Sequence, residues 1–329
     1  MLDERMIIVQ KHPDADLFIY NYTNKAQYEA VWNEITLQCR GLILDAELNI
    51  VSRPFKKFFN LEEYPADDIP DEPFDVFEKV DGSLGILYWL NDKPYIATRG
   101  SFISEQAVHA SGILLSKYSG AINKLDRNST YLFEIIYPQN RIIVDYGDKD
   151  DLVLLALIDN KTGGELELPD IGFPMVKKYD GIPDFKLLKD LEEENKEGFV
   201  IRFKSGLRAK VKFAEYLRLH RIVTGVSNLV IWEHLSQGRS FEDLLDKVPD
   251  EFYDWVKKTI DELKVQYDII LTDSQTAFRQ FETRKETALY FQTQKYPAVL
   301  FAMLDGKPVD KIIWKMLRPE YAKPFKIEV

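Results

Sequence analysis

Residues 77–86 read FEKVDGSLGI and place a lysine two positions before an Asp-Gly pair, inside a run of strand-forming residues. Alternate side chains of a strand point to opposite faces, so Lys79 and Asp81 share one face while Glu78 and Val80 share the other. Gly82 permits a tight turn and the close approach of a ligand or of another backbone. Taken alone, the pattern also fits a solvated lysine that precedes a hairpin.

The composition indicates an ordinary soluble globular protein. The chain has 329 residues, of which 45% are hydrophobic and 29% charged, and this length predicts two domains. No apolar run approaches the roughly 18 residues of a membrane helix, and acidic residues stand where a signal peptide is basic. We therefore expect a cytoplasmic protein without a membrane partner. Cys39 is the only cysteine, which excludes an intrachain disulfide and suits a small core residue.

The charges are segregated along the chain. The net charge of −11 argues against a generally basic nucleic-acid coat. Between Ile201 and Arg221, however, seven basic residues face a single acid, Glu215, and Arg53, Lys56 and Lys57 form a second basic cluster. Acidic residues gather in 67–75, 148–151 and 190–197. This distribution predicts a basic cleft in an acidic body.

Two structural regimes follow each other along the chain. Up to about residue 215, short runs rich in Val, Ile, Phe and Tyr alternate with turn residues and predict strands. These runs are 41–47, 74–90, 93–101, 130–137, 152–159, 198–203 and 208–213. A Ser cap and helical spacing predict one helix over 104–118 among them. The first regime is therefore a mixed α+β domain.

Beyond Arg221 the periodicity becomes helical. A Ser cap with an acid three positions later predicts a helix start over 240–248. Apolar residues three or four apart predict a long amphipathic helix from Phe252 to Ile270, with a pattern that extends past Phe278 and Phe281. A further short helix is predicted around 314–317. We place the domain boundary between residues 220 and 230.

Residues whose side chains could act in catalysis or ligand binding recur in order along the first domain. They are Arg40 in CRGLILD, Lys57 and Phe59 in KKFFNLEE, Arg99 in ATRGS, Glu134 in FEIIYPQNRIIV, Glu197 in EGFVIRF, and Lys210 and Lys212 in RAKVKFAEY. Each one alone fits an ordinary role as a surface charge, a core aromatic or an exposed acid at a strand end. The two lysines of the last motif fit such a role least. Their spacing puts both ammonium groups on one face, where like charges repel unless an anion lies between them.

Together these motifs resemble the covalent nucleotidyltransferases, and specifically the phage-type RNA ligase 1 family, over about residues 35–220. KVDGS is similar to the nucleophile motif, and the segments around Arg40 and Glu134 are more specific to the RNA ligase branch. DNA ligases carry an arginine where Leu84 stands here. The resemblance implies an α+β nucleotidyltransferase (ATP-grasp-like ligase) domain of antiparallel sheets with flanking helices. This adenylyltransferase domain would span 1–222, and an all-helical C-terminal domain would span 223–329.

The resemblance also implies a role for each basic residue. Lys79 would attack the α-phosphate of ATP and become a lysyl-AMP phosphoramidate. Its ordinary pKa of about 10.4 means that it must lose a proton first, and nearby cations favour that loss. Arg40, Lys57, Lys210 and Lys212 would hold the triphosphate and later the RNA 5′-phosphate.

The carboxylates would complete the nucleotide site. Glu134 would accept hydrogen bonds from the ribose hydroxyls, and Glu197 would hold Mg²⁺, or Mn²⁺ in its place, through bound waters. Asp81 would orient Lys79 or help with the metal. The other residues that the resemblance puts near the nucleotide are Arg99, the backbone of Glu78 and Val80, and Phe59 and Tyr216, for which a core role fits equally well.

The implied reaction passes AMP from Lys79 to an RNA 5′-phosphate, after which a 3′-hydroxyl displaces AMP. We expect an ATP-dependent RNA ligase that acts as a monomer in RNA repair, with tRNA as one candidate substrate. Two other hypotheses stay open: another covalent nucleotidyltransferase (a capping guanylyltransferase or a DNA ligase), and a nucleic-acid-binding relative that lost the chemistry. The helical second domain favours the RNA ligase, because the other two enzymes add an OB-fold. It would either select RNA or only support the catalytic domain.

Overall fold

The computed structural model describes residues 2–224, 227–239 and 253–320. The chain divides into two compact units, Met1–Val223 and Thr224–Val329. The first unit combines three β-sheets with helices, and the elements described in the second unit are helices.

Fourteen described strands build the first unit. They are β1 (Ile7–Lys11), β2 (Leu17–Tyr22), β3 (Arg40–Asp45), β4 (Ile50–Ser52), β5 (Phe59–Asn60), β6 (Phe74–Lys79), β7 (Ser83–Leu90), β8 (Lys93–Ala97), β9 (Ser129–Ile136), β10 (Asp151–Asp159), β11 (Glu165–Leu166), β12 (Lys178–Tyr179), β13 (Gly198–Phe203) and β14 (Arg208–Lys212). A strand lies within each of the runs predicted from the sequence, and the run over 74–90 forms both β6 and β7. The strands outside these runs, which were not predicted, are β1, β2, β4, β5, β11 and β12.

The strands pair almost entirely in antiparallel fashion. Sheet one has the order β1-β2-β3-β4, sheet two β11-β10-β9-β7-β8, and sheet three β12-β6-β13-β14-β5. The one parallel pair described joins β14 to β5 at the edge of sheet three. Between β6 and β7 the chain passes from sheet three to sheet two within the residues 80–82, directly after Lys79.

The helices of the first unit are α1 (Asn24–Tyr28), α2 (Glu34–Gln38), α3 (Glu105–Ser116) and α4 (Ala214–Thr224). The helix predicted over 104–118 is confirmed as α3, and the Ser104 hydroxyl accepts a hydrogen bond from the Ala107 N–H at 3.3 Å. Short 3₁₀ turns, such as Leu61–Glu63, connect the strands.

Sheet two is covered on both faces. Leu87 and Phe133 pack with Leu114 of α3 on one side, while Ile86 packs with Ile43 of sheet one on the other. The neighbouring residues 86 and 87 thus serve different cores, as strand alternation requires. Burial on both faces explains the near-continuous apolar runs of β7, β9 and β10.

Sheet three has its own core of aromatic side chains. Phe199 contacts Phe213 edge to face with ring centroids 5.1 Å apart, and Phe203 packs with Phe185 in the same way. Ala209 and Val211 of β14 are buried in this core. The intervening residues of β14 therefore project from the opposite face of the sheet.

The second unit contains α5 (Asn228–Ser236), α6 (Tyr253–Ala277), α7 (Arg284–Gln292), α8 (Pro297–Leu304) and α9 (Asp310–Met316). The long helix and the helix around 314–317 are confirmed as α6 and α9. Tyr267 stacks on Trp314 with ring centroids 5.1 Å apart. The predicted helix start over 240–248 lies outside the described residues. None of the described helices is long and apolar enough to cross a membrane.

The predicted extension of the long helix past Phe278 and Phe281 is wrong, because α6 ends at Ala277. Thr283 caps the next helix through a capping box with Glu286. Phe278 and Phe281 lie in the connection, where their rings contact Phe291 and Tyr290 of α7. These ring contacts with α7, rather than helical geometry, account for the apolar spacing.

Candidate active site

Lys79 and Lys212 share one buried carboxylate at the end of sheet three. Gly198, the first residue of β13, lies opposite the last residue of β6, Lys79, and the last residue of β14, Lys212. The preceding residue, Glu197, projects between the two lysines. Its Oε2 lies 2.8 Å from Nζ of Lys79 and its Oε1 lies 2.9 Å from Nζ of Lys212.

The charges around Glu197 explain its ionisation. The residue is only 3% exposed, so the alternative of an ordinary exposed acid is wrong. Burial raises the pKa of Glu197, but the charges of Lys212 and Lys79 outweigh that effect and lower the pKa overall. The ionised carboxylate therefore pairs with both lysines.

Gly198 makes this arrangement possible. Its backbone has φ +144°, and a Cβ atom would lie 2.0 Å from the Val211 carbonyl oxygen. Only glycine tolerates both the backbone conformation and the close approach of β14. The glycine therefore fixes the position of the neighbouring Glu197.

Glu134 lies on β9 of sheet two, close to the same charges. Burial raises the pKa of Glu134 to about 8; Lys79 and Arg40 act against this rise, while Glu197 and Asp81 add to it. The carboxyl group is therefore mostly protonated at neutral pH. In this form it can donate a hydrogen bond as well as accept one.

Gly82 brings the chain after Lys79 against Glu134. A Cβ atom on Gly82 would lie 2.6 Å from the Ile135 carbonyl oxygen and 3.4 Å from Oε1 of Glu134. The close approach that the sequence predicted for this glycine is present. Gly82 thereby brings the segment that follows Lys79, at the end of sheet three, against the carboxyl group of Glu134 in sheet two.

Asp81 is occupied by hydrogen bonds within the protein. Its Oδ2 accepts from the backbone N–H groups of Ile143 and Val144 at 2.9 and 2.8 Å, and its Oδ1 accepts from the Tyr216 hydroxyl at 2.9 Å. The Asp81 N–H donates to the Tyr146 hydroxyl at 2.9 Å. The carboxylate is 4% exposed and ties the segment 143–146 to α4. A structural role follows for both Asp81 and Tyr216.

Arg40 supplies a donor that the protein itself leaves open. Its Nη1 is buried and has no hydrogen-bond partner, and its guanidinium lies 5.6 Å from the centroid of the Phe58 ring. A buried cationic donor without an acceptor is costly in the free protein. An anion that reaches Nη1 removes this cost, so the geometry suits a phosphate or carboxylate ligand.

Lys57 lies inside a ring of aromatic side chains. Its side chain is 8% exposed, and its Nζ lies 5.4 to 5.5 Å from the ring centroids of Tyr22, Trp32 and Phe59. Contacts of this kind attract a cation and hold it in place. Tyr22 and Trp32 were not found from the sequence, because they lie far from Lys57 along the chain.

Arg99 joins this cluster from the end of β8. Its Nη1 donates to the Tyr22 hydroxyl at 3.0 Å, and its guanidinium lies 5.2 Å from the Tyr22 ring centroid. Arg99 and Lys57 therefore meet at one tyrosine. Both of these basic residues, predicted separately from the sequence, belong to one cluster.

Lys210 lies two residues before Lys212 on the same face of β14 and is opposite Asn60 of β5. Glu63 is close by: burial raises its pKa, and the charges of Lys210 and Lys57 act against that rise. Oδ1 of Asn60 is buried without a hydrogen-bond partner. Asn60 and Glu63 are thus two further polar residues at the site, and the sequence prediction missed both.

Glu78 and Val80 flank Lys79 on the opposite face of the strand. The Glu78 N–H donates to the Lys177 carbonyl at 2.8 Å, and Val80 is buried with Ile136 and Val153. Both residues lie next to the nucleophile candidate. No group of three or more His, Cys, Asp or Glu side chains occurs within metal-binding distance among the described residues.

The segment that carries these residues is also the segment that matches known proteins. The family model described as RNA ligase matches residues 38–217, which is more than half of the chain. The chain belongs to the phage-type RNA ligase 1 family. Every residue that the sequence placed at the site of this RNA ligase family member, from Arg40 to Tyr216, lies within the matched segment.

Relatives of this RNA ligase family member occur in viruses and bacteria. A protein of Autographa californica nuclear polyhedrosis virus, named as a bifunctional polynucleotide kinase/RNA ligase, is 27% identical over 76% of this chain. A Thermovibrio ammonificans protein named as an RNA ligase is 27% identical over 78%, and a Rhodothermus phage RNA ligase is 23% identical over 88%. The match covers 40%, 73% and 85% of the respective relatives, so this chain spans less than half of the baculovirus protein.

Solved structures give a remote likeness. A Naegleria gruberi RNA ligase variant, solved with ATP and Mn, aligns with a TM-score of 0.38 at 21% identity over 45% of this chain and 52% of its own. An Aquifex aeolicus protein described as an ATP-dependent DNA ligase aligns with a TM-score of 0.45 at 15% identity over 93% of this chain and 97% of its own.

Proposed function

We propose that this chain is an ATP-dependent RNA ligase that joins RNA 3′-hydroxyl and 5′-phosphate ends through Lys79. The observation that carries the proposal is the carboxylate of Glu197 between Lys79 and Lys212, at 2.8 and 2.9 Å. It brings a candidate nucleophile, its counter-ion and a phosphate-binding cation into one buried site. Membership of the RNA ligase family supports the same chemistry.

In the first step the Lys79 amine forms a bond to the α-phosphorus of ATP while the bond to pyrophosphate breaks. The amine must first release its proton to solvent. The positive charges of Lys210 and Lys212 on the same side of β14 favour this loss and then stabilise the developing negative charge. Mg²⁺, or Mn²⁺ in its place, would be held by Glu197 and would supply positive charge beside the phosphate oxygens.

The other side chains would hold the nucleotide. Arg40 offers its open Nη1 to a phosphate oxygen, and Lys57 and Lys210 add charge beside it. Glu134, once ionised, accepts hydrogen bonds from the ribose hydroxyls. The other contacts that we propose are those of Arg99 and Phe59 with the nucleotide and those of the backbone at Glu78 and Val80 with adenine.

Two transfers to RNA would complete the reaction. The RNA 5′-phosphate attacks the phosphorus of lysyl-AMP, and the bond to Lys79 breaks, which gives an RNA-adenylate. A 3′-hydroxyl then attacks the activated phosphate and expels AMP. We assign this chemistry to a catalytic domain over 1–222 and regard 223–329 as a helical accessory domain. The proposed role of the monomeric enzyme is the repair of broken RNA, of which tRNA is one example.

A labelling experiment tests the proposal. The purified chain is mixed with Mg²⁺ and ATP labelled at the α-phosphate and run on a denaturing gel beside Lys79→Ala and the exposed control Lys93→Ala. We expect label on the wild type and the control, none on Lys79→Ala, less with GTP, and discharge by 5′-phosphorylated RNA. An unlabelled wild type, shown to be folded and free of bound AMP, would falsify the proposal.

A further inference from the structure

A groove of about 1130 Å³ opens beside the phosphate-binding residues of the first unit. Its walls are the segment 53–59, the turn 162–167 after β10, and the turn 203–208 between β13 and β14. Lys57 and Phe59 line both this groove and the candidate active site. The groove is therefore continuous with that site.

The groove is basic although the chain is acidic. Six basic and three acidic side chains line it, whereas the net charge of the chain is −11. Lys56 and Lys204 are exposed on its two sides. The guanidinium of Arg53 donates hydrogen bonds to the backbone carbonyl of Asn160 and to Oε1 of Gln38, at 3.2 and 3.3 Å, and neither of these acceptors carries a charge. Such a concentration of positive charge attracts an anionic ligand.

Ion pairs stiffen the base of the groove. Glu165 of β11 bridges Arg202 of β13, at 2.6 Å, and Arg208 of β14, while Asp75 of β6 also pairs with Arg202. The Arg208 guanidinium lies 4.5 Å from the Phe55 ring centroid. These two arginines are already neutralised, so recognition of a ligand falls to the exposed cations around them.

A row of basic side chains leads from the groove to Lys79. Arg208, Lys210 and Lys212 alternate along one face of β14, and Lys212 meets Glu197 beside Lys79. The groove exceeds the roughly 300 to 1,000 Å³ of ordinary small-molecule sites. Both its size and its continuity with the nucleotide site fit a polymer of phosphates better than a single mononucleotide.

We propose that this groove binds a single-stranded RNA segment adjacent to the end that is being joined. The inference rests on the proposed function and gives the substrate a location. Partly exposed aromatic rings of Phe58 and Phe74 lie among the cations, which is the combination that holds unpaired bases and their phosphates. RNA supplies both phosphates for the cations and unpaired bases for the rings, so RNA is the occupant that the chemistry favours.

The test measures RNA binding without catalysis. The full chain is titrated into a fluorescent, 5′-phosphorylated single-stranded RNA between 50 and 200 mM salt. Each phosphate contact contributes about one unit to the slope of the logarithm of the binding constant against the logarithm of the salt concentration. The double variant Lys56→Ala/Lys204→Ala is compared with the double control Lys93→Ala/Lys124→Ala, which removes two exposed lysines that do not line the groove. We expect about tenfold weaker binding and a salt slope lower by about one to two in the first variant only.

Three results would overturn the inference. They are equal affinities and slopes for the two double variants, tighter binding of a blunt RNA duplex than of the single strand, and displacement of RNA by polyglutamate as efficiently as by unlabelled RNA. The ATP labelling of the wild type is measured in parallel. If the wild type takes no label but its RNA binding depends on Lys56 and Lys204, the proposed function is wrong and the groove inference stands. If the wild type is labelled but its RNA binding does not depend on these lysines, only the groove inference is wrong.

Discussion

Nζ of Lys79 lies 2.8 Å from Oε2 of Glu197, so the candidate nucleophile is paired with a carboxylate that is 3% exposed. The same carboxylate also neutralises Lys212. Removal of its charge would leave two cations facing each other. The ion pair with Glu197 therefore holds the lysine in place.

The first prediction concerns Glu197→Gln. Two lysines without a counter-ion should lower the free energy of unfolding by about 3 kcal/mol and slow lysyl-AMP formation about a hundredfold or more. Urea unfolding and ATP labelling measure the two effects. The control Glu193→Gln removes the partner of Lys196 in a more exposed pair and should cost at most about 1 kcal/mol. Equal losses in both variants would contradict the central role of Glu197.

The second prediction concerns pH and Glu134. Burial raises the pKa of its carboxyl group to about 8, well above the ordinary value of 4.5. Between these values the unfolded chain releases a proton that the folded chain retains, so the free energy of unfolding falls as the pH rises. Glu134→Gln should lose this slope between about pH 4.5 and 8. Urea unfolding at a series of pH values tests this prediction, with the exposed Glu47→Gln as control. An unchanged dependence of the free energy of unfolding on pH in Glu134→Gln would contradict it.

The third prediction separates ligand binding from stability at Arg40. Its Nη1 is buried without a partner, so Arg40→Met should leave the free energy of unfolding unchanged or raise it by about 1 kcal/mol. The affinity for ATP should fall about tenfold to a hundredfold, because a charged hydrogen bond is lost. Calorimetric titration with ATP measures the loss. In the exposed control Arg127→Met the affinity should stay constant, and a parallel loss there would argue against a phosphate contact of Arg40.

The fourth prediction compares two glycines. Gly198→Ala puts a Cβ 2.0 Å from a carbonyl oxygen at φ +144°, so it should destabilise the fold by about 3 kcal/mol or more and abolish labelling. Gly112 lies exposed in α3 with open space around it, so Gly112→Ala should stabilise the protein by about 1 kcal/mol. Thermal unfolding distinguishes the two. A tolerated alanine at 198 would mean that β14 can move away.

The fifth prediction asks whether Asp81 holds the fold or a metal. Its oxygens accept hydrogen bonds from Ile143, Val144 and Tyr216. Asp81→Asn should lower the free energy of unfolding by about 2 kcal/mol, and the effect should overlap with that of Tyr216→Phe in a double-mutant cycle. The Mg²⁺ concentration for half-maximal labelling should not change. A large shift of that concentration without loss of stability would assign Asp81 to the metal instead.

The parts of the site that the sequence predicted well are those set by local geometry. The period of two in a strand puts Lys210 and Lys212 on one face of β14, as the structure shows, where Lys212 pairs with Glu197 and Lys210 lies near Glu63. The close approach at Gly82 follows equally from the absence of a side chain. Such features depend on a few neighbouring residues, so a single sequence contains them.

The parts that it missed depend on contacts between distant segments. Nothing local to Trp32 or Tyr22 shows that their rings surround Lys57, and nothing local to Glu63 shows that its carboxyl group lies near Lys57 and Lys210. The burial of Glu197 likewise results from the pairing of three strands. The sequence did contain the capping box at Thr283 that begins α7, but the apolar spacing of the preceding residues concealed the break before it.

The passage of the chain from sheet three to sheet two directly after Lys79 has a mechanical consequence. Residues 80–82 connect the two sheets, and Glu197 and Glu134 lie on opposite sides of this connection. A rotation of one sheet against the other would change the distance from the Lys79 amine to Glu134 more than its distance to Glu197, which lies next to β13 of the same sheet. The distance from Lys79 to Glu197 thus depends on strand pairing within sheet three, whereas its distance to Glu134 depends on how sheets two and three are placed relative to each other.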